Sequence, residues 1–151
     1  MNNVSMKLSE HFSLAEMCKT SANLDNVPNE AQVENLKRLC GWLEMLRSEW
    51  NKRYGEGNDP IIINSGFRSE AVNKAVGGVK GSNHLSGCAA DIRVAGIEQL
   101  VRYATILLDI SDESKEDFDE LLLERSPKGN YWLHFAVRPS GNRRKVRLIQ
   151  T

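Results

Sequence analysis

Apolar residues recur at steps of three and four from Val33 through Leu36, Leu39, Cys40, Leu43 and Leu46 to Trp50. That spacing lays them along one side of an α-helix and predicts a long helix from Glu30 to about Arg53. Core packing accounts for the stripe, and no chemistry is assigned to it. Upstream, Ser13-Leu14-Ala15-Glu16 carries the serine and glutamate of a capping box, so a short helix is expected from Ser13 to about Lys19. Thr20-Ser21-Ala22-Asn23 breaks that pattern, and a loop runs on to Pro28. Ser69 can cap a brief helix ending near Ala75. Gly96 to Leu108 reads as a further amphipathic helix through Ile97, Leu100, Val101, Ala104, Leu107 and Leu108.

Elsewhere the period changes to two. Ile61-Ile62-Ile63-Asn64 follows the turn Tyr54–Pro60 and reads as a buried strand, and Cys88 to Val94 ends in β-branched residues and reads as another. Phe118 to Glu124 and Tyr131 to Val137 flank Arg125-Ser126-Pro127-Lys128-Gly129-Asn130, a hairpin signature. In the second of these strands Trp132, His134 and Ala136 share one face, and Leu133, Phe135 and Val137 the other. Val146 to Ile149 supplies a last strand after the turn at Ser140-Gly141-Asn142. Helices followed by a mainly antiparallel sheet define an α+β protein. At 151 residues, positions 1–151 fit a single domain with its own core.

Twenty basic and twenty acidic residues cancel, so no global field directs the chain to nucleic acid or to an anionic membrane. No apolar run approaches the roughly 20 residues of a membrane span. Met1 to His11 lacks the apolar centre of a secretory signal, which leads to an expectation of synthesis in a cytoplasm. Cys18, Cys40 and Cys88 show no CxxC spacing, and reduced thiols are expected. Cys88 is read as a packing residue, with thiolate ligation as the lesser alternative.

Two of the three histidines lie in segments that could converge. His84 sits in the Gly/Ser/Asn-rich loop Gly77–Asn83 and its sequel, whereas Asp91 and His134 sit on separate predicted strands. Two imidazoles and one carboxylate form a three-ligand set that leaves a fourth position open, the pattern of a catalytic zinc site. Each residue alone could equally be a half-buried strand histidine or a surface acid. His11 has no such company and is left out.

Ser65-Gly66-Phe67-Arg68-Ser69, Ser82-Asn83-His84-Leu85-Ser86-Gly87-Cys88-Ala89-Ala90-Asp91 and Trp132-Leu133-His134 together resemble the M15 family of zinc D-alanyl-D-alanine carboxypeptidases. That family also takes in D-alanyl-D-alanine dipeptidases and phage L-alanyl-D-glutamate endolysins. The resemblance runs from about residue 8 to about residue 149 and is nearest the compact phage-type branch, through Phe118-Asp119-Glu120-Leu121-Leu122-Leu123-Glu124. It implies a hedgehog/DD-peptidase-like fold and one zinc ion per chain on His84, Asp91 and His134. It also implies a monomer cutting a peptidoglycan peptide at the cell wall, reached by phage-assisted release. Arg68 would hold substrate or stabilise developing charge, Ser82 would touch substrate, and Trp132 would wall the pocket.

The sequence departs from several relatives three residues before the last histidine, where Tyr131 replaces a carboxylate. A hairpin pairing Glu124 with Asn130, Leu122 with Trp132 and Glu120 with His134 would turn both glutamates toward the metal and Asp119 away. Glu124 is taken as the general base and Glu120 as the reserve. The basic run Arg143-Arg144-Lys145-Val146-Arg147 is read as a solvated turn and edge strand, with contact to an anionic wall polymer as the alternative. No aromatic platform accompanies it, which argues against nucleic acid. A metal-stabilised wall-binding module without catalysis is the competing reading, and a two-histidine iron oxygenase is disfavoured because His84 and Asp91 are too far apart in sequence. The bond cut, D-Ala-D-Ala or L-Ala-D-Glu, stays open.

Overall fold

The computed structural model describes residues 6–151; Met1–Ser5, the start of the N-terminal stretch read above, lie outside the described residues. Helix α1 (Leu14–Met17) begins at Ser13, whose hydroxyl accepts from the Glu16 amide while the Glu16 carboxylate reaches back to the Ser13 amide. It ends at Met17, short of Lys19. Helix α2 (Glu30–Arg53) is started by a second such pair, Asn29 and Gln32, which the sequence reading did not single out. Each cap of this kind stabilises its helix by about 1 kcal/mol, because it satisfies backbone donors that no helical carbonyl can reach.

The strand β1 (Ile63–Ser65) starts later than expected, and Ile62 is exposed while Ile61 and Ile63 are buried. The isoleucine run thus alternates across the sheet edge and does not form a strand buried on both sides. Helix α3 (Glu70–Ala75) is capped by Ser69. A 3-10 turn at Asn83–Ser86 precedes β2 (Ala89–Arg93), and α4 (Ile97–Ser114) follows. Then come β3 (Glu120–Arg125), β4 (Tyr131–Ala136) and β5 (Lys145–Gln150). Helix α4 runs one and a half turns past Leu108, and its buried face is Leu100, Tyr103, Ala104, Ile106, Leu107 and Ile110. Ile97 and Val101, read as part of the apolar stripe, are exposed. The stripe is rotated because Tyr103 and Ile106 take the positions that meet α2 and the sheet.

The strands run in the order β1-β2-β4-β3-β5, antiparallel throughout except for the parallel β3–β5 pair. Helices α2 and α4 cover one face, where Ile63, Ala90, Ile92, Leu121, Leu133 and Phe135 enter the core. Trp42, also missed from the sequence, packs its ring against Phe135 and Phe118 with centroids 5.4 and 6.5 Å away. The opposite face carries Asp91, Glu120, Leu122, Glu124, Trp132 and His134, because strand side chains alternate. The architecture is α+β, with a dry face under the helices and a polar face toward solvent.

The hairpin register differs from the expected one. Glu124 pairs with Trp132, Leu122 with His134 and Glu120 with Ala136, since the turn occupies Ser126–Asn130 and Arg125 pairs with Tyr131. The shift is an even one, so both glutamates keep the face they were assigned. Phe118 and Asp119 precede β3 and are not part of it.

Gly87 ends the 3-10 turn at φ +78°, and a Cβ there would stand 2.6 Å from the Gln32 carbonyl oxygen of α2. Gly81 has a similar φ of +79° but faces open space. Gly87→Ala should therefore cost about 2 kcal/mol or more, combining left-handed strain with a backbone clash, and lower Tm by roughly 4–8 °C. Gly81→Ala should show only the strain. Paired thermal melts check this; equal losses would remove the role assigned to the α2 contact.

Candidate metal centre

Strands β2 and β4 pair so that Asp91 lies directly opposite His134, with both side chains on the polar face. His134 Nδ1 stands 3.1 Å from Asp91 Oδ1. His84 arrives from the 3-10 turn, its own amide donating to the Ser82 hydroxyl, and its Nε2 stands 3.4 Å from the same carboxylate oxygen. Among the described residues, His84, Asp91 and His134 are the group whose donor atoms could hold a metal ion, all within 4.8 Å of one another.

The ring nitrogens turned away from that centre are tied down. His84 Nδ1 lies 2.6 Å from the Gly66 carbonyl oxygen. A carbonyl can only accept, so Nδ1 carries the proton and the Nε2 lone pair faces Asp91. His134 Nε2 donates to Glu120 Oε1 at 2.9 Å, leaving Nδ1 on the Asp91 side. Arg68 Nη2 donates to the other Asp91 oxygen at 3.1 Å, while its Nε and Nη1 bind Ser65 and Asn73 at 3.0 and 3.3 Å. Two imidazoles and a carboxylate, each oriented by a partner behind it, are the donor chemistry zinc takes.

Electrostatics follow from these contacts. Burial opposes charge on Asp91, but hydrogen bonds from His134 and His84 outweigh it and hold the carboxyl well below its usual range. In the metal-free chain, burial works against protonated His134, yet its bonds to Asp91 and Glu120 raise it to about 9. The His134 bond is the main cause that lowers Glu120 to about 2. Glu124 goes the other way: burial raises its carboxyl, only partly countered by His134 and by the Trp132 Nε1–H bond at 3.2 Å.

A cavity of about 590 Å³ opens over this face, lined by Arg68, Ser82, His84, Glu124, Trp132 and His134 among others. All the candidate residues read from the sequence therefore border one space, with Asp91 and Glu120. Tyr131 does not: it pairs with Arg125 on the opposite face and packs against the core. Cys88 is buried, with its thiol pushed up by burial, and lies outside the metal-capable group. His11 pairs with Glu44 near the N-terminus of the described chain.

Sequence reasoning missed a second tier. Asn83, next to the candidate ligand His84, is buried and donates to Asp119 and Glu120. Asp119, expected to point away from the metal side, is instead linked to it through Asn83; it is fully buried and binds Arg143 through both oxygens, at 3.0 and 2.7 Å. The basic run lies at the surface as a turn and edge strand, but two of its side chains are engaged: Arg143 holds Asp119, and Arg144 reaches Asp112 and Ser111. The one available signal was position: Asn83 and Asp119 each adjoin a site residue.

Residues 10–111 match the model of a family described as Peptidase M15. A stretch of 40 residues is 48% identical to the zinc D-Ala-D-Ala carboxypeptidase of Streptomyces albus G, covering 26% of this chain and 16% of that protein. The family match contains Arg68, Ser82, His84 and Asp91, and His134 lies beyond it.

Two expectations arise here. The chain purified without chelator should hold one zinc ion, and Asp91→Ala with His134→Ala should abolish it; elemental analysis showing full occupancy in the double variant would refute the ligand set. Separately, hydrogen bonds from Arg143 and Asn83 overcome burial and hold Asp119 at about 2, below its ordinary 3.8. A depressed folded value contributes stability that is present above the unfolded pKa and lost as pH falls through the folded one. The stability gap between wild type and Asp119→Asn should thus be open at neutral pH and close between about pH 4 and pH 2. Denaturant midpoints across that window test it.

Proposed function

The chain belongs to the peptidase M15 family, and from that premise we propose that it is a zinc peptidase hydrolysing a bond in peptidoglycan stem peptides, next to a D-amino acid. The proposal includes one zinc per chain and a monomer acting at the cell wall. The relative's activity on D-Ala-D-Ala supports the substrate class, and the lined cavity supports access by a short peptide.

The observation that carries the catalytic reading is Glu124. It stands on the ligand face of β3, half-buried, fixed by Trp132 and not used as a ligand. Zinc bound by His84, Asp91 and His134 would supply Lewis acidity, easing ionisation of water and polarising the scissile carbonyl. Glu124 then accepts the proton of the attacking water as its oxygen bonds to the carbonyl carbon. As the C–N bond breaks, Glu124 returns that proton to the leaving amine. Arg68 keeps Asp91 oriented and brings positive charge to the cavity wall, where the carbonyl oxygen gains negative charge. The Ser82 hydroxyl caps the turn as an acceptor and keeps its own proton for a substrate oxygen.

Glu124→Gln should retain zinc and lose roughly 10²–10⁴-fold in turnover of purified muropeptides. Glu120→Gln should lose far less, because a glutamine carbonyl still accepts from His134. Mass analysis of the products decides it. The reverse order of sensitivity would make Glu120 the base, and no effect from either would favour a binding module.

A further inference from the structure

The hydrogen-bond chain behind His134 does not stop at Glu120. Asn83 Nδ2 donates to Glu120 Oε1 at 2.7 Å and to Asp119 Oδ2 at 2.8 Å. Its carbonyl oxygen accepts from Arg138 Nε at 3.0 Å. Both ends of the amide are therefore committed, and the flip that would exchange them is blocked: it would set a carbonyl oxygen against two carboxylates. Asp119 is in turn pinned by Arg143 and lies 3.2 Å from Arg138 Nε. Asn83 is 6% exposed and Asp119 0%, so neither group has solvent as a substitute partner.

We propose that Asn83 is a positioning residue of the metal centre, whose amide ties the Glu120–His134 pair to the buried Asp119. Glu120 Oε1 receives two donors, His134 Nε2 and Asn83 Nδ2. Asn83 thus fixes the oxygen that fixes the imidazole, and His134 is held with Nδ1 toward Asp91 and His84. Without that amide, Asp119 and Glu120 would share only Arg143, whose Nη2 is 2.7 Å from Asp119 Oδ2 but 3.8 Å from Glu120 Oε2, and Glu120 would swing from His134. The inference rests on the ligand assignment and does not require the peptidase reading, so its test is zinc affinity and not turnover.

The experiment compares zinc affinity, by chelator competition on the full chain, for wild type, Asn83→Asp, Glu120→Ala and the double variant Asn83→Asp/Glu120→Ala. Loss of an outer partner of a metal-bound histidine weakens binding about 10–100-fold, and Asn83→Asp should fall in that range. Because Asn83 acts through Glu120, Asn83→Asp should cost little further once Glu120 is gone, whereas a merely damaged fold would weaken binding in both backgrounds. Imidazole ¹⁵N shifts of the zinc-loaded wild type should show His134 protonated at Nε2 and metal-bound at Nδ1. This last readout stands even if Asn83→Asp does not fold. Affinity within twofold of wild type in Asn83→Asp, an undiminished loss in the Glu120→Ala background, or a proton on His134 Nδ1 would each overturn the proposal.

Discussion

Everything at the centre depends on one cross-strand pair, Asp91 opposite His134. The β2–β4 register puts both on the solvent face and sends Ala90, Ile92, Leu133 and Phe135 into the core. Because strand side chains alternate, a slip of one residue would bury both polar side chains under the helices and expose the apolar set. The candidate metal centre is thus protected by the hydrophobic core: the same burial that stabilises the sheet forbids the register that would dismantle the site. His84 needs no register of its own, since its turn is anchored by Ser82, Gly87 and the Gly66 carbonyl.

Much of this was legible in the chain. Long-range periodicity found α2 with its true bounds, because a continuous apolar stripe reports its own packing face. Ser13 and Ser69 announced helix starts through chemistry that acts within a few residues. The candidate ligands were visible because histidine is rare here and their flanking motifs resemble those of M15 peptidases. What stayed hidden depends on partners distant in sequence. The face of α4 was misjudged at Ile97 and Val101 because only contact with α2 and the sheet chooses between two apolar edges. Asp119 looked like an ordinary strand acid, since nothing local reveals that Arg143 will close over it.

The polar tier shows how such a site tolerates burial. Asn83, Asp119, Glu120 and His134 put several charges and an amide beneath the surface, and unpaired groups there would cost several kcal/mol. Among the described residues no buried side-chain nitrogen or oxygen lacks a partner. Arg68 belongs to the same logic: all three of its guanidinium nitrogens are engaged by Ser65, Asn73 and Asp91, so its charge is delivered to the cavity at a set angle. This rigidity holds the donors convergent before any ion arrives.

The hairpin between β3 and β4 has a wider meaning. His134, of the group that could hold a metal ion, lies on one arm and Glu124 on the other, joined through the turn at Ser126–Asn130. Sliding one arm past the other by an even number of residues preserves which face Glu124 occupies but displaces it by nearly 7 Å per step along the strand. The reach of the Glu124 carboxylate into the cavity is thereby encoded as a discrete setting in the turn, separate from the residues that could hold an ion. A fold wired this way can carry a cavity carboxylate on either of two neighbouring strands while His84, Asp91 and His134 stay as they are, a freedom that lets Tyr131 occupy a core position on the far face.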